Sequence, residues 1–273
     1  MSCLGKLPHL DAAIFADTGW EPQAVYAHLD FLTEQAQCAH IPIYRVQAGS
    51  LKDDLRRLAM HPEGPHGGHI DQPPFFVHPD GPLPVQTQTV DTLWGPEFLT
   101  IQPREKTGRL FRKCTKKYKL DPIRRQVRQL RHDAQASTVT QWIGISFDEI
   151  GRMKPADVRY ITHQFPLIER RMTRSDCLAW NAAHGFPEPP KSSCLGCPFH
   201  SDSYWHHLQT TAPEEWEDTV AMDTLIRHGI PGVTQAAYMH RSCRPLAEVP
   251  LRLPPEPAVE QLWLGECEGV CWT

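Results

Sequence analysis

A strand, a helix and a second strand follow one another within the first 47 residues, and no other feature of the chain restricts the fold as much. Asp11 to Asp17 (DAAIFAD) is a short apolar run that ends in an acid and enters a turn at Thr18-Gly19, the pattern of a buried strand. Pro22 then stands near the first position of a helix whose Val25, Leu29, Leu32 and Ala36 fall on one stripe. Ile41 to Gln47 (IPIYRVQ) is the second strand. A strand-helix-strand unit this short requires parallel pairing and a right-handed crossover, so the expected fold class is α/β.

Further along, His61 to Pro103 contains nine prolines and five glycines without sustained periodicity, and is expected to be a long irregular excursion. Asp121-Pro122 opens a helix with Ile123, Val127 and Leu130 on one stripe and Arg124, Arg125, Arg128 and Arg131 outside it. Trp142 to Ser146 (WIGIS) is expected to be another buried strand, delivering Asp148, Glu149 and Arg152 at its carboxyl end. Helices are expected over Ser175 to His184, stopped by Gly185, and over Pro213 to His228. The simplest partition is an α/β domain over 1–186, with the 61–103 segment inserted, and a cysteine-bearing region over 187–273 packed on it.

The net charge of −4 conceals a segregation. Arg104 to Arg131 holds twelve Lys or Arg against Glu105 and Asp121 alone, so this segment carries +10 and the remainder −14. Such asymmetry points to an anion site or to contact of 104–131 with tRNA or DNA, the plain alternative being a solvated basic face. No stretch approaches the roughly 18 to 20 apolar residues that span a bilayer, so no membrane partner is expected. Met1 to Leu10 lacks an apolar secretory core, which implies a cytoplasmic protein. In that compartment the nine cysteines read as thiols, metal ligands or redox groups rather than disulfides.

The strongest motif is Cys194-Leu-Gly-Cys197-Pro-Phe-His200, a C-x2-C pair on a turn that can direct two thiolates at one ion. Four outcomes stay open at this point. Further thiolates such as Cys114, Cys177 or Cys271 would complete an iron–sulfur cluster, while His200 and His207 would complete a Cys2His2 zinc site. The pair could also be a redox dithiol or a pair of core thiols. Cys267-Glu-Gly-Val-Cys271 is a second pair, able to donate a ligand or a mobile nucleophile. Asp17-Thr18-Gly19 lies where a parallel strand ends and a helix begins, the edge at which α/β sheets collect ligands. Asp148 or Glu149 could hold a metal or a ribose and Arg152 a phosphate, or the acids could simply cap. Ala48-Gly-Ser-Leu-Lys-Asp53 has one glycine, too few for a phosphate loop, and reads as a turn with Ser50 as an N-cap.

In order along the chain, FADTGWEP (Phe15 to Pro22), RKCTKKYKLDPI (Arg112 to Ile123), GISFDEIGRMK (Gly144 to Lys154), PLIE with TRSDCLAW, and CLGCPF resemble elements of the phosphoadenosine-phosphosulfate reductase family, within the N-type ATP pyrophosphatase group. The resemblance runs from about Asp11 to Cys271 and implies a Rossmann-like, mostly parallel sheet with flanking helices and an irregular cysteine-bearing C-terminal extension. It implies ATP or an adenylylated sulfate as the nucleotide, and adenylation-linked sulfur transfer or reduction as the chemistry. Asp17, Thr18 and Gly19 would line the nucleotide edge. Gly144 and Arg152 would face the adenosine or phosphate, and Arg112, Lys116, Lys117 and Lys119 would bind the anion. Cys114, Cys194, Cys197 and a fourth thiol, Cys271 or else Cys267 or Cys177, would ligate a [4Fe-4S] cluster, with zinc as the alternative metal. Cys267 matches a catalytic nucleophile, although Glu268 replaces the family's glycine, and Asp148 is the other catalytic candidate.

Family members open with a strand and a Ser-Gly-Gly phosphate loop, whereas this sequence starts at a point matching the helix after that loop. The expectation is an N-terminally shortened nucleotide domain or a start placed too far downstream, with apolar edges where the strand would lie. A homodimer is left open. The rival expectation is a nucleic-acid-binding module with a structural zinc and no catalysis.

Overall fold

The computed structural model describes residues 1–61, 71–78, 108–230, 233 and 235–252, and the backbone of 86–92 and 95–101. Strand β1 (Ala13–Asp17) leads into α1 (Gln23–Cys38), and β2 (Ile43–Gln47) returns parallel to β1 with Ala13 opposite Ile43. The expected βαβ unit is thus present. Val25, Leu29 and Ala36 are buried as their spacing requires, but Leu32 is exposed. Helix α2 (Leu51–Met60) starts at the expected cap, with the Ser50 hydroxyl accepting from the Asp53 amide at 3.1 Å.

The 61–103 stretch is not wholly irregular. It contains β3 (Phe76–His78) and an antiparallel hairpin, β4 (Gln86–Thr92) with β5 (Gly95–Ile101). The hairpin escapes a search for apolar periodicity because β4, QTQTVDT, owes its strand propensity to threonines and one valine. Strand β6 (Gly108–Arg109) then pairs with β3.

A single π-helical turn, Lys116–Leu120, runs without a break into α3 (Asp121–Asp133), whose second residue is Pro122. Strand β7 spans Val139–Trp142 rather than Trp142 to Ser146 and pairs in parallel with β8 (Ile161–Gln164). The pairing extends one residue further through Ile143 N–H to the Gln164 carbonyl at 2.9 Å, after which the chain turns. Short α4 (Pro166–Glu169) precedes α5 (Arg174–Ala183), which is opened by a reciprocal Thr173–Asp176 capping box. Helix α6 (Asp202–Thr211) follows the C-x2-C turn and is succeeded by α7 (Pro213–Ile226). Strand β9 (Ala236–Tyr238) closes a three-stranded antiparallel sheet in the order β6-β3-β9.

The class is α/β, but the parallel strands form two separate two-stranded ribbons instead of one sheet. Both ribbons pack on α3: Ile123 and Val127 share an apolar cluster with Ile14, Ala16 and Val46 of the first and Val139, Tyr160 and Ile161 around the second. The periodicity of each segment specifies a strand but not its neighbours, which is why the sheet differs from expectation. A larger core joins Trp20, Leu51, Phe75, Tyr118, Trp205 and Ile226, and so ties the region beyond residue 187 to the β1–α2 portion. Burial of side chains this large stabilises the fold by roughly 2–3 kcal/mol each. Among the described residues no helix is long and apolar enough to cross a membrane.

Candidate functional site

The turn after β1 is held by Asp17, which is buried at the strand's carboxyl end. One carboxylate oxygen accepts from the Gly19 amide at 2.8 Å and the Tyr26 hydroxyl at 2.9 Å, and the other from Arg45 Nη2 at 2.7 Å and Nε at 3.0 Å. Burial alone would raise this carboxyl, but the Gly19, Arg45 and Tyr26 hydrogen bonds together outweigh it and hold Asp17 below the ordinary value. Tyr26, buried and facing this anion, is pushed up to about 12. With its oxygens engaged by the protein, Asp17 organises the turn rather than presenting itself to a ligand. Gly19 is required on two counts: φ is +72°, and a Cβ would lie 2.8 Å from the Ser50 Cα.

The same turn carries the C-x2-C loop. The Leu195 amide donates to the Trp20 carbonyl at 2.8 Å, and Gly196 lies against the Trp20 indole so closely that a Cβ would sit 2.1 Å from a ring carbon. The Cys194 and Cys197 thiols share a hydrogen bond, and this bond together with burial pushes Cys194 well above the usual thiol value. Cys114, delivered by the arm before the π-helical turn, comes close enough to feel Cys197 and is pushed up to about 12, chiefly by burial. Cys114, Cys194 and Cys197 thus belong to the one apolar core that contains Trp20, beside the carboxyl end of β1.

Around them lie polar atoms that the protein leaves without hydrogen-bond partners: Glu21 Oε2, Trp20 Nε1, His200 Nδ1 and Tyr204 Oη, all buried. Glu21 was not singled out in the sequence, where an acid two residues past Asp-Thr-Gly gives no distinct signal. Its carboxyl is raised by burial against the opposing pull of Lys119 at 3.9 Å and the Thr18 hydroxyl at 2.9 Å, and its charge is felt by Cys194 and Tyr204. His200 stacks on Tyr204 with ring centroids 3.6 Å apart, and its Nε2 faces the Cys194 carbonyl at 3.0 Å. Burial holds its pKa well below the ordinary value, so the ring is neutral and Nε2–H is the donor.

The other sequence candidates lie elsewhere. His207 is on the exposed side of α6 against Thr211, so the Cys2His2 set of Cys194, Cys197, His200 and His207 is not assembled. Cys177 is raised by burial within α5 and by the charges of Asp148 and Asp176. Asp148 is exposed and accepts from the Arg174 amide at 3.0 Å, at the start of α5. Arg152 is paired with Glu149, and Gly144 is exposed with open space where a Cβ would lie. Lys117 is engaged by Asp54 at 2.9 Å, Lys119 faces Glu21, and Lys116 is exposed. Arg112 stands near Cys114, whose thiol it and Lys119 pull downward. Cys267 and Cys271 lie outside the described residues.

As the side chains stand, no group of three or more His, Cys, Asp or Glu among the described residues is disposed to hold a metal ion. No family model, curated protein or solved structure matches the chain.

Proposed function

We propose that the chain is an enzyme of the phosphoadenosine-phosphosulfate reductase type, which binds an adenine nucleotide or an adenylylated sulfate and performs sulfur transfer or reduction at its thiol centre. The observation that carries this reading is the meeting of Cys114, Cys194 and Cys197 beside the Asp17-Thr18-Gly19 turn. A Rossmann-like architecture belongs to the same proposal. It draws support from two parallel ribbons sharing one backing helix, with the thiols at the carboxyl end of β1, where such folds place their ligands.

Cys114, Cys194 and Cys197 would hold a [4Fe-4S] cluster, which when bound supplies electrons and an iron able to carry sulfide. The chain's own residues prepare the surroundings. Trp20 and Leu195 fix the C-x2-C turn, and the neutral His200 anchors its backbone through the Cys194 carbonyl. Arg112 and Lys119 place positive charge beside Cys114, suited to a phosphate or sulfate. Glu21, buried with a raised pKa, is able to hold a proton near the thiols.

Equilibrium dialysis with ATP, adenosine 5′-phosphosulfate and its 3′-phosphorylated form tests the substrate side. The proposal expects saturable binding of at least one of them, weakened at least tenfold in R112A/K119A. Absence of binding for all three in the anaerobically prepared protein would overturn it.

A further inference from the structure

The basic segment does not act as one surface. Lys117 is held by Asp54, Lys119 faces Glu21, Arg124 pairs with Asp157 at 2.5 Å, and the Arg131 guanidinium lies over the Tyr160 ring at 4.3 Å. Lys117, Arg124 and Arg131 serve the fold, and Lys119 faces the thiol region. A different group stands on the arm that leads to Cys114, where Arg109, Arg112, Lys113 and Lys116 follow one another with no acid between them.

Within that group stands Phe111, 84% exposed and the most exposed of the large apolar side chains in the described residues. A phenyl ring left in water forgoes the stabilisation of burial, and this one lies between two arginines whose positions are themselves fixed. The Arg109 and Arg112 guanidiniums sit over the Phe199 ring, 5.1 and 4.7 Å from its centroid. Phe199 follows Cys197-Pro198, so the same stacking joins the arm to the C-x2-C loop.

We propose that this surface, built from Arg109, Phe111, Arg112, Lys113 and Lys116 on Phe199, binds single-stranded nucleic acid, with a base stacked on Phe111 and the flanking phosphates on the cations. An exposed aromatic among preorganised cations is the composition that grips unpaired strands, since every base offers a π-face and every linkage a charge. A duplex keeps its bases stacked internally and gains nothing from Phe111, whereas an acidic peptide would use the cations and leave the ring idle. The surface borders Cys114, so a bound strand lies next to the thiol site. The proposal does not depend on what the thiols hold, because none of its residues is a thiol.

The test is fluorescence anisotropy with the full chain and labelled single-stranded DNA and RNA of about 15 nucleotides. Binding to at least one is expected, with the same sequence as a duplex at least tenfold weaker. F111A should weaken single-strand affinity roughly 5- to 100-fold, the loss of one stacked base, and F111W should restore it. R109A/R112A should lower the slope of log K against log salt by about 1.4, the release expected from two single-strand phosphates. At 84% exposure Phe111→Ala leaves the fold intact, which circular dichroism checks. Equal affinity of F111A and parent, equal affinity for duplex, or binding only to acidic peptide or to anionic vesicles would overturn the proposal. F111A should keep the metal content of the parent, which separates this outcome from that of the thiol chemistry.

Discussion

Replacing Gly196 by alanine tests whether the β1 turn and the C-x2-C loop form one packed unit. The added Cβ would lie 2.1 and 2.2 Å from two carbons of the Trp20 indole, against the roughly 3.5–4 Å of an ordinary carbon contact. One partner must move by about 1.5 Å. Trp20 is only 3% exposed, and its carbonyl accepts the Leu195 amide at 2.8 Å, so the loop retreats only by stretching that bond. Overpacking costs about 1–3 kcal/mol and loss of the hydrogen bond about 1 more, giving a destabilisation of about 2–4 kcal/mol. For a chain of this size that is a fall in Tm of roughly 3–7 °C. Gly151→Ala, whose Cβ would meet nothing within 4 Å, is the control and should stay near the parent. Differential scanning calorimetry reads the shift, and titration with a chromogenic disulfide reads the exposure of the C-x2-C thiols, which should rise in G196A. A G196A protein melting within about 2 °C of the parent, with unchanged thiol reactivity, would refute the packing argument.

Two further outcomes follow from the buried groups. The Glu21 carboxyl is raised in the folded state, so its contribution is fully present below the unfolded carboxyl value and declines as pH rises through the interval up to the folded value. Urea titrations should show this decline setting in above the ordinary carboxyl value of about 4 in the parent and its absence in E21Q; parallel curves would show that Glu21 is not held in a raised state. With Cys114 pushed up to about 12, iodoacetamide at pH 8 should alkylate it in the metal-free protein roughly a thousandfold more slowly than a free cysteine, and at the ordinary rate once urea is added; peptide mapping identifies the modified thiol, and rapid labelling of Cys114 in the folded metal-free protein would contradict its raised value.

The elements nearest the site were legible where local chemistry is self-sufficient. DAAIFAD, the helix after Pro22, the Ser50 cap and Asp121-Pro122 each carry their own start signal, and each forms where expected within two residues. Helix α6 was not legible: its buried contacts are Trp205 and Leu208, and the intervening His206 and His207 suggested metal donors instead of a helix surface. Which cysteines meet is a long-range matter. Spacing brings Cys194 and Cys197 together, but only the fold adds Cys114 and sends Cys177 to the neighbourhood of Asp148. The single parallel sheet failed for a similar reason, since strand pattern carries no information about which edges join.

The central claim is that Cys114, Cys194 and Cys197 form one site for a thiolate-bound cluster. The most direct measurement is iron and acid-labile sulfide per chain after anaerobic purification, together with the visible absorption spectrum, in the parent and in C114S, C194S, C197S and C177S. The account predicts a brown protein with about four iron and four sulfide per chain. It predicts loss of the chromophore in the first three variants and its retention in C177S. A colourless parent containing one zinc or no metal, or a C194S protein that keeps its full iron content, would contradict it.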